Sequence, residues 1–216
     1  GQRHGMIVII NPNSTVAMTT AMLATAQAAC PDMTIEAWTS HDGPPAIQGP
    51  EDGEACVPPM LKLVQKASDQ GARAIIIGCS DDTGLAEARR IAACPVIGIG
   101  QAGYHLAAMA GARFSVVTTL AAAIPIQAKN VVDYGFGAQL GKVRAAGIQV
   151  LALESDPDAS AAKVFDEIGR AQREDDIQSV VLGCAGMSYI PARAGPDVKV
   201  RLIDGVKAAV QIGALL

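Results

Sequence analysis

Short β-branched and aliphatic runs recur along the chain, separated by longer stretches of mixed polarity. MIVII at 6–10, MTIEAW at 33–38, the run at 73–77, PVIGI at 95–99, FSVVTT at 114–119, the stretch at 148–153, the run at 179–182 and VRLI at 200–203 read as strands. Several are apolar at nearly every position, the pattern of strands covered on both faces of a parallel sheet. Helices are predicted between them at 16–29, 54–70, from about Gly84 to Ala93, 101–110, 122–134 and 159–174, with a closing helix that starts at Asp204–Gly205. Ser14 or Thr15 is expected to cap the first helix by accepting a hydrogen bond from an orphan amide. Gly71 and Gly111 are placed to end helices. Pro58 and Pro59 are expected in or near a first turn. Residues 40–53, SHDGPPAIQGPEDG, hold too much Pro and Gly for a regular element. Loops of that length often cover a site, and a surface excursion is the competing reading.

Strand–helix alternation runs through the whole chain and appears twice, which makes the fold class α/β. IVIINPNST and AIIIGCSDD in the first half correspond in element order to FSVVTT and SVVLGCAG in the second. The division falls near 98–113. Residues 6–100 form one half, completed by the C-terminal helix at 205–216, and residues 101–204 form the other. Right-handed crossovers would bring the strand carboxyl ends of each half to one edge, where such folds hold ligands.

Composition narrows the function classes. The 216 residues carry a net charge of −4 and no basic run interleaved with aromatics, so no nucleic-acid partner is expected. Neither a signal-peptide pattern nor an uninterrupted apolar stretch of about 18 residues is evident, so a cytoplasmic protein without a membrane partner is expected. Residues 1–5, GQRHG, precede Met6, and His4 is set aside from functional reasoning. Five cysteines are present without close metal-type pairing, and no metal is expected. Cys30, Cys56 and Cys94 read as small apolar packing residues.

Cys79 and Cys184 differ, because each follows an apolar strand and a glycine, in GCSDD and GCAGM. A cysteine near a helix N-terminus sits where backbone amides and the helix field can lower its pKa. Two at equivalent positions in opposed halves permit one thiolate to remove a proton from carbon while the other thiol donates to the opposite face. The difficult part of such a racemisation is stabilising the carbanion or enolate between them. Incidental packing, nucleophilic use and redox use remain open on spacing alone.

The ordered set NPNST at 11–15, GPPAIQG at 43–49, GCSDDTGLAEAR at 78–89, PVIGIG at 95–100, FSVVTTL at 114–120, VLGCAGM at 181–187 and IDGV at 203–206 resembles the Asp/Glu/hydantoin racemase family over almost the whole chain after residue 5. The resemblance implies two pseudo-symmetric three-layer α/β/α domains with mainly parallel sheets and an interdomain cleft. It implies a cofactor-independent racemase acting on a small molecule, with Cys79 and Cys184 as the acid/base pair, and a homo-oligomer is expected. By the same resemblance Asn11, Ser14 and Thr15 match an active-site loop. Ser80 and Asp81 flank the first cysteine, Thr118 and Thr119 hold substrate at a strand end, and Ala185 and Gly186 supply backbone amides. Members acting on free aspartate or glutamate usually carry Thr or Asn after a catalytic cysteine, and Ala185 has no such donor. VLGCAGM instead resembles the hydantoin and allantoin branch, whose substrates are cyclic ureides, while Ser80 leaves the substituent size open. An acidic amino-acid racemase, a cis–trans isomerase and a non-enzymatic small-molecule-binding module are the alternatives.

Other residues have plain readings beside functional ones. Asp81 and Asp82 can be helix caps or first-turn acids. Tyr104, His105 and Tyr189 can line a pocket or pack, and His41 needs no role. The charge run from Glu167 to Asp176 reads as a solvated helix face without a partner. GIG at 98–100 lacks a dinucleotide-binding context, so no nicotinamide cofactor is expected.

Overall fold

Two four-stranded parallel sheets with the same strand order form the frame of the molecule in a computed structural model that describes residues 5–216. His4 lies outside the described residues. The first half runs β1 (Ile7–Asn11), α1 (Val16–Ala29), β2 (Ile35–Thr39), α2 (Pro50–Asp69), β3 (Ala74–Ile77), α3 (Leu85–Ile91) and β4 (Val96–Gly98). The second runs α4 (Ile99–Ala110), β5 (Phe114–Thr118), α5 (Ile124–Asp133), β6 (Leu140–Ala145), α6 (Ala152–Ser155), α7 (Pro157–Glu174), β7 (Ser179–Leu182), β8 (Arg201–Asp204) and α8 (Gly205–Leu215). The sheet orders are β2-β1-β3-β4 and β6-β5-β7-β8. In each sheet the chain leaves the first strand in one direction and returns on its other side, so the paired central strands frame a crevice at their carboxyl ends. Among the described residues no helix is long and apolar enough to cross a membrane.

Burial on both faces explains the unbroken apolar runs. Ile7 and Ile9 pack on one side of β1 with α1 and α8, while Val8 and Ile10 pack on the other with α2 and α3. Each fully buried aliphatic side chain of this kind contributes about 1.5–3 kcal/mol. The second sheet repeats the scheme, with Val180 and Leu182 facing α7 and Val181 facing α4 and α5. The C-terminal helix returns to the first sheet, where Val206, Ala209 and Val210 join Ile7, Ile9 and Ile76.

Four expectations need correction. The helix predicted at 54–70 starts at Pro50, so Pro58 and Pro59 lie in its interior. The prolines remove the helical donors of the Glu54 and Ala55 carbonyls, and both of those residues are exposed, on the side where solvent can satisfy such groups. Residues 148–153 are not a strand. The strand lies at 140–145, and Ile148, Val150 and Leu153 are buried through loop and α6 contacts instead. Thr15 is the N-cap of α1 without a side-chain cap bond, because its hydroxyl donates to Pro45 O at 2.7 Å and Asn13 Oδ1 accepts from Thr15 N instead. Ser14 does not cap α1 either.

The charge run after Glu167 also has a partner. Arg144, on edge strand β6, is buried and binds both oxygens of Asp175 at 2.6 and 2.8 Å. It also donates to Glu167 at 3.2 Å and Glu174 at 2.7 Å. Ser115 Oγ donates to Asp175 at 2.6 Å. Charged Lys142 and Arg144 obscure the strand pattern of LGKVRA, but the carboxylates of α7 and the turn after it neutralise the one that points inward.

Candidate active site

The loops after β3 and β7 meet at one small cavity of about 30 Å³. Cys79 and Cys184 both line it, one from each half, together with Ser80, Asp81, Thr118, Thr119 and Ala185. Each cysteine follows the third strand of its half. Gly78 precedes the first because a Cβ there would meet Met22 Sδ at 2.7 Å, and Gly183 precedes the second because a Cβ would meet Gln127 Oε1 at 2.7 Å. The Gly-Cys pairs therefore record close packing beneath the strand ends.

Several residues of the expected site stand behind the cavity wall or beside it. Asn11 is fully buried and donates to Asn13 Oδ1 and Thr19 Oγ1, both at 2.9 Å. Through these bonds it holds Asn13, which does line the cavity. Ser14 and Thr15 are not among the lining residues and instead hold the 40–49 segment, with Ser14 N donating to Pro44 O at 2.8 Å. Gly186 is buried away from the lining, where its amide favours the Cys184 thiolate. The corresponding amide at Cys79 belongs to Asp81, so each sulfur is served by the residue two positions on.

Asn13, Met18, Ile47, Ala123 and Val150 also line the cavity without having been singled out in the sequence. Ile47 comes from the Pro- and Gly-rich segment at 40–53. Its neighbour Ala46 packs with Met18, Val150 and Cys184, while Gln48 Oε1 accepts from Val150 N at 3.1 Å. That segment covers the cavity and ties the two halves together.

Burial is the largest cause of the high pKa of both thiols. It holds Cys79 well above the usual thiol value, with the charge of Asp81 raising it further against the donation of the Asp81 amide. It pushes Cys184 up to about 12, with Gly186 N–H opposing and Asp81 and Glu154 adding. The expectation of lowered thiols is therefore corrected. Neither cysteine starts an α-helix, since α3 begins only at Leu85 and Cys184 enters a short 3-10 turn. All five cysteines are free thiols.

The two aspartates after Cys79 divide their work. Asp81 accepts from Gln127 Nε2 at 2.9 Å, and burial raises its carboxyl against that bond. Asp82 is a helix cap, but of α4 rather than the helix that follows it. Its carboxylate accepts from Gly100 N at 3.0 Å and Gln101 N at 2.8 Å, with Tyr134 Oη donating at 2.7 Å. Burial nevertheless pushes it up to about 7. A Cβ at Gly98 would lie 2.0 Å from Asp82 Oδ1, which accounts for the first glycine of GIG. Tyr104 is core, stacked near Phe114 with centroids 6.1 Å apart, and Tyr189 donates to Pro157 O at 3.1 Å. His105 packs edge-on against Phe136. No cluster of metal-ligating side chains occurs among the described residues.

Comparison with known proteins gives a consistent likeness. The profile of the Asp/Glu/hydantoin racemase family matches residues 7–213. A hydantoin racemase of Rhizobium meliloti is 42% identical over 211 residues, which is 97% of this chain and 88% of that protein. A hydantoin racemase of Pseudomonas sp. (strain NS671) is 36% identical over 95% of this chain and 83% of its own. The solved allantoin racemase from Klebsiella pneumoniae superposes with a TM-score of 0.94 at 35% identity, covering 98% of this chain and 87% of that one.

Proposed function

Because this chain belongs to the Asp/Glu/hydantoin racemase family, we propose that it racemises a cyclic ureide, a 5-substituted hydantoin or allantoin, by proton transfer between Cys79 and Cys184. The carbon next to the ring carbonyl carries the acidic hydrogen. One cysteine thiolate takes it, breaking C–H and forming S–H, and the electron pair passes into the carbonyl as an enolate. The opposite thiol returns a proton to the other face, so its S–H breaks as the inverted C–H forms, and the two cysteines exchange protonation states. No cofactor enters this scheme. Asn13, Ser80 and Thr119 offer polar contacts around the ring, while the Thr118 hydroxyl donates to Gly183 O at 3.0 Å and holds the wall behind them.

The observation that carries the substrate class is the charge of the wall. Among the described residues no Lys, Arg or His lines the cavity, and the one charged group there, Asp81, would repel a carboxylate. A neutral ring suits such a wall better than a free acidic amino acid does. The relatives named hydantoin and allantoin racemases support the same class. Polarimetry on enantiopure allantoin, 5-substituted hydantoins, aspartate and glutamate tests this. Loss of rotation is expected with the cyclic ureides alone, and faster loss with aspartate or glutamate would refute the assignment.

The high thiol pKa values predict a pH dependence. Since the base is a thiolate, kcat/KM should still be rising with pH beyond 9, the ordinary thiol value from which both cysteines are displaced upward. Asp81→Asn removes the negative charge that lifts both thiols and keeps an oxygen for Gln127. Its rising limb should move to lower pH. An unchanged limb would show that Asp81 does not act on the cysteines through charge.

A further inference from the structure

One face of α5, a helix of the second half, grips the loop that carries Cys79 in the first. Gln127 and Asn130 share one side of α5, and Tyr134, the C-cap residue after it, continues the same spacing. Gln127 Nε2 donates to Asp81 Oδ1 at 2.9 Å, Asn130 Nδ2 donates to Asp81 O at 2.8 Å, and Tyr134 Oη donates to Asp82. The same Gln127 amide reaches the other cysteine loop, donating to Gly183 O at 2.9 Å, with Thr118 Oγ1 at 3.2 Å. Gln127 is 1% exposed and its Oε1 has no hydrogen-bond partner among the described residues. Burying an amide whose oxygen is unsatisfied is costly, and strictly structural positions are usually filled more cheaply by apolar residues.

We propose that Gln127 is a positioning residue that sets the loop of Cys79 in register with the loop of Cys184, by bonding with one amide group to Asp81 and to Gly183. The inference rests on the racemase reading for its consequence in catalysis. Inversion needs both sulfurs aligned with opposite faces of one carbon, whereas removal and return of a proton at a single face needs only one. A glutamine that fixes the spacing of the two loops therefore governs inversion more than single-face exchange. Its own side chain does not line the cavity, so it acts through its neighbours.

The test compares wild type with Gln127→Met, which keeps the chain length and loses both donors, and with Gln127→Glu. Enantiopure 5-alkylhydantoin in deuterated water reports inversion and α-hydrogen exchange together. Gln127→Met should lose about 50-fold in inversion but less than about fivefold in exchange with retention, the scale expected for misaligned reacting groups, with KM little changed. Gln127→Glu faces Asp81 with a second carboxylate, so its activity relative to wild type should recover as pH falls and one of the pair takes a proton that it can donate. Amide hydrogen exchange without substrate should show the peptides covering 78–84 and 182–187 losing protection together in Gln127→Met. A parallel fall of inversion and exchange, no recovery of Gln127→Glu at low pH, or unchanged protection in those two peptides would each overturn the proposal. If wild type racemises no cyclic ureide, the substrate reading falls, while the amide-exchange arm still decides whether Gln127 holds the two loops.

Discussion

Replacing Cys79 or Cys184 by alanine is expected to lower racemisation by at least about 10³-fold, toward the upper part of the range for losing a general acid or base. Both side chains line the cavity and are only partly buried, so the fold should survive either change. Serine in place of one cysteine makes the sharper experiment. The remaining thiolate can still remove the hydrogen from the enantiomer that presents it, and its thiol can exchange with solvent before returning a proton to the same face. Each Cys→Ser variant should thus exchange the α-hydrogen of one enantiomer for deuterium without inverting it, and the two variants should select opposite enantiomers. Full racemisation by Cys79→Ala, or exchange of both enantiomers by both serine variants, would end the two-base assignment.

The second large effect concerns stability. Arg144→Met should destabilise the protein by about 3–5 kcal/mol, the cost of leaving a buried charge without its partner. Asp175, with its side chain 6% exposed, would lose both hydrogen bonds from the guanidinium. Burial alone would raise the Asp175 carboxyl, but the bonds from Arg144 and Ser115 outweigh it and hold it below the usual range. A depressed carboxylate contributes stability that is present above its unfolded value and lost as pH falls through its folded value. Urea unfolding should therefore show wild type losing more of its stability than Arg144→Met does on acidification below about pH 4. Equal acid sensitivity would mean that the carboxylates find other partners.

The parts of this fold that were legible in the sequence are those whose environment is uniform along the element. β1, β3, β5 and β7 are covered on both faces, so their runs are apolar throughout, and the helix at 16–29 coincides with α1. β6 escaped notice because its buried Arg144 is acceptable only with Asp175, which arrives 31 positions later in the chain. The proline pair in α2 misled for a related reason, since water at an exposed turn is invisible in a string of letters. At the site, Cys79 and Cys184 declare themselves by their place after strands. Gln127 does not, because nothing in IPIQAKNVVD distinguishes a buried amide from a solvated one until Asp81 and Gly183 are brought to it. Asn13 stood within the quoted NPNST, yet only the fold separates it from Asn11 as the one that faces the cavity.

The repeated strand order has a consequence for kinetics. Each half presents one cysteine loop to the cavity, so in the two-base scheme the cysteine that opens the reaction of one enantiomer closes that of the other. Because a racemisation has an equilibrium constant of unity, kcat/KM must be the same in both directions however unlike the two sides are. The unlike surroundings of the two cysteines, a hydroxymethyl at Ser80 against a methyl at Ala185, can therefore appear only as matched differences in kcat and KM. The enantiomer held more tightly must be the one turned over more slowly. The ratio of the two KM values then equals the ratio of the two kcat values, so one measurement fixes the other.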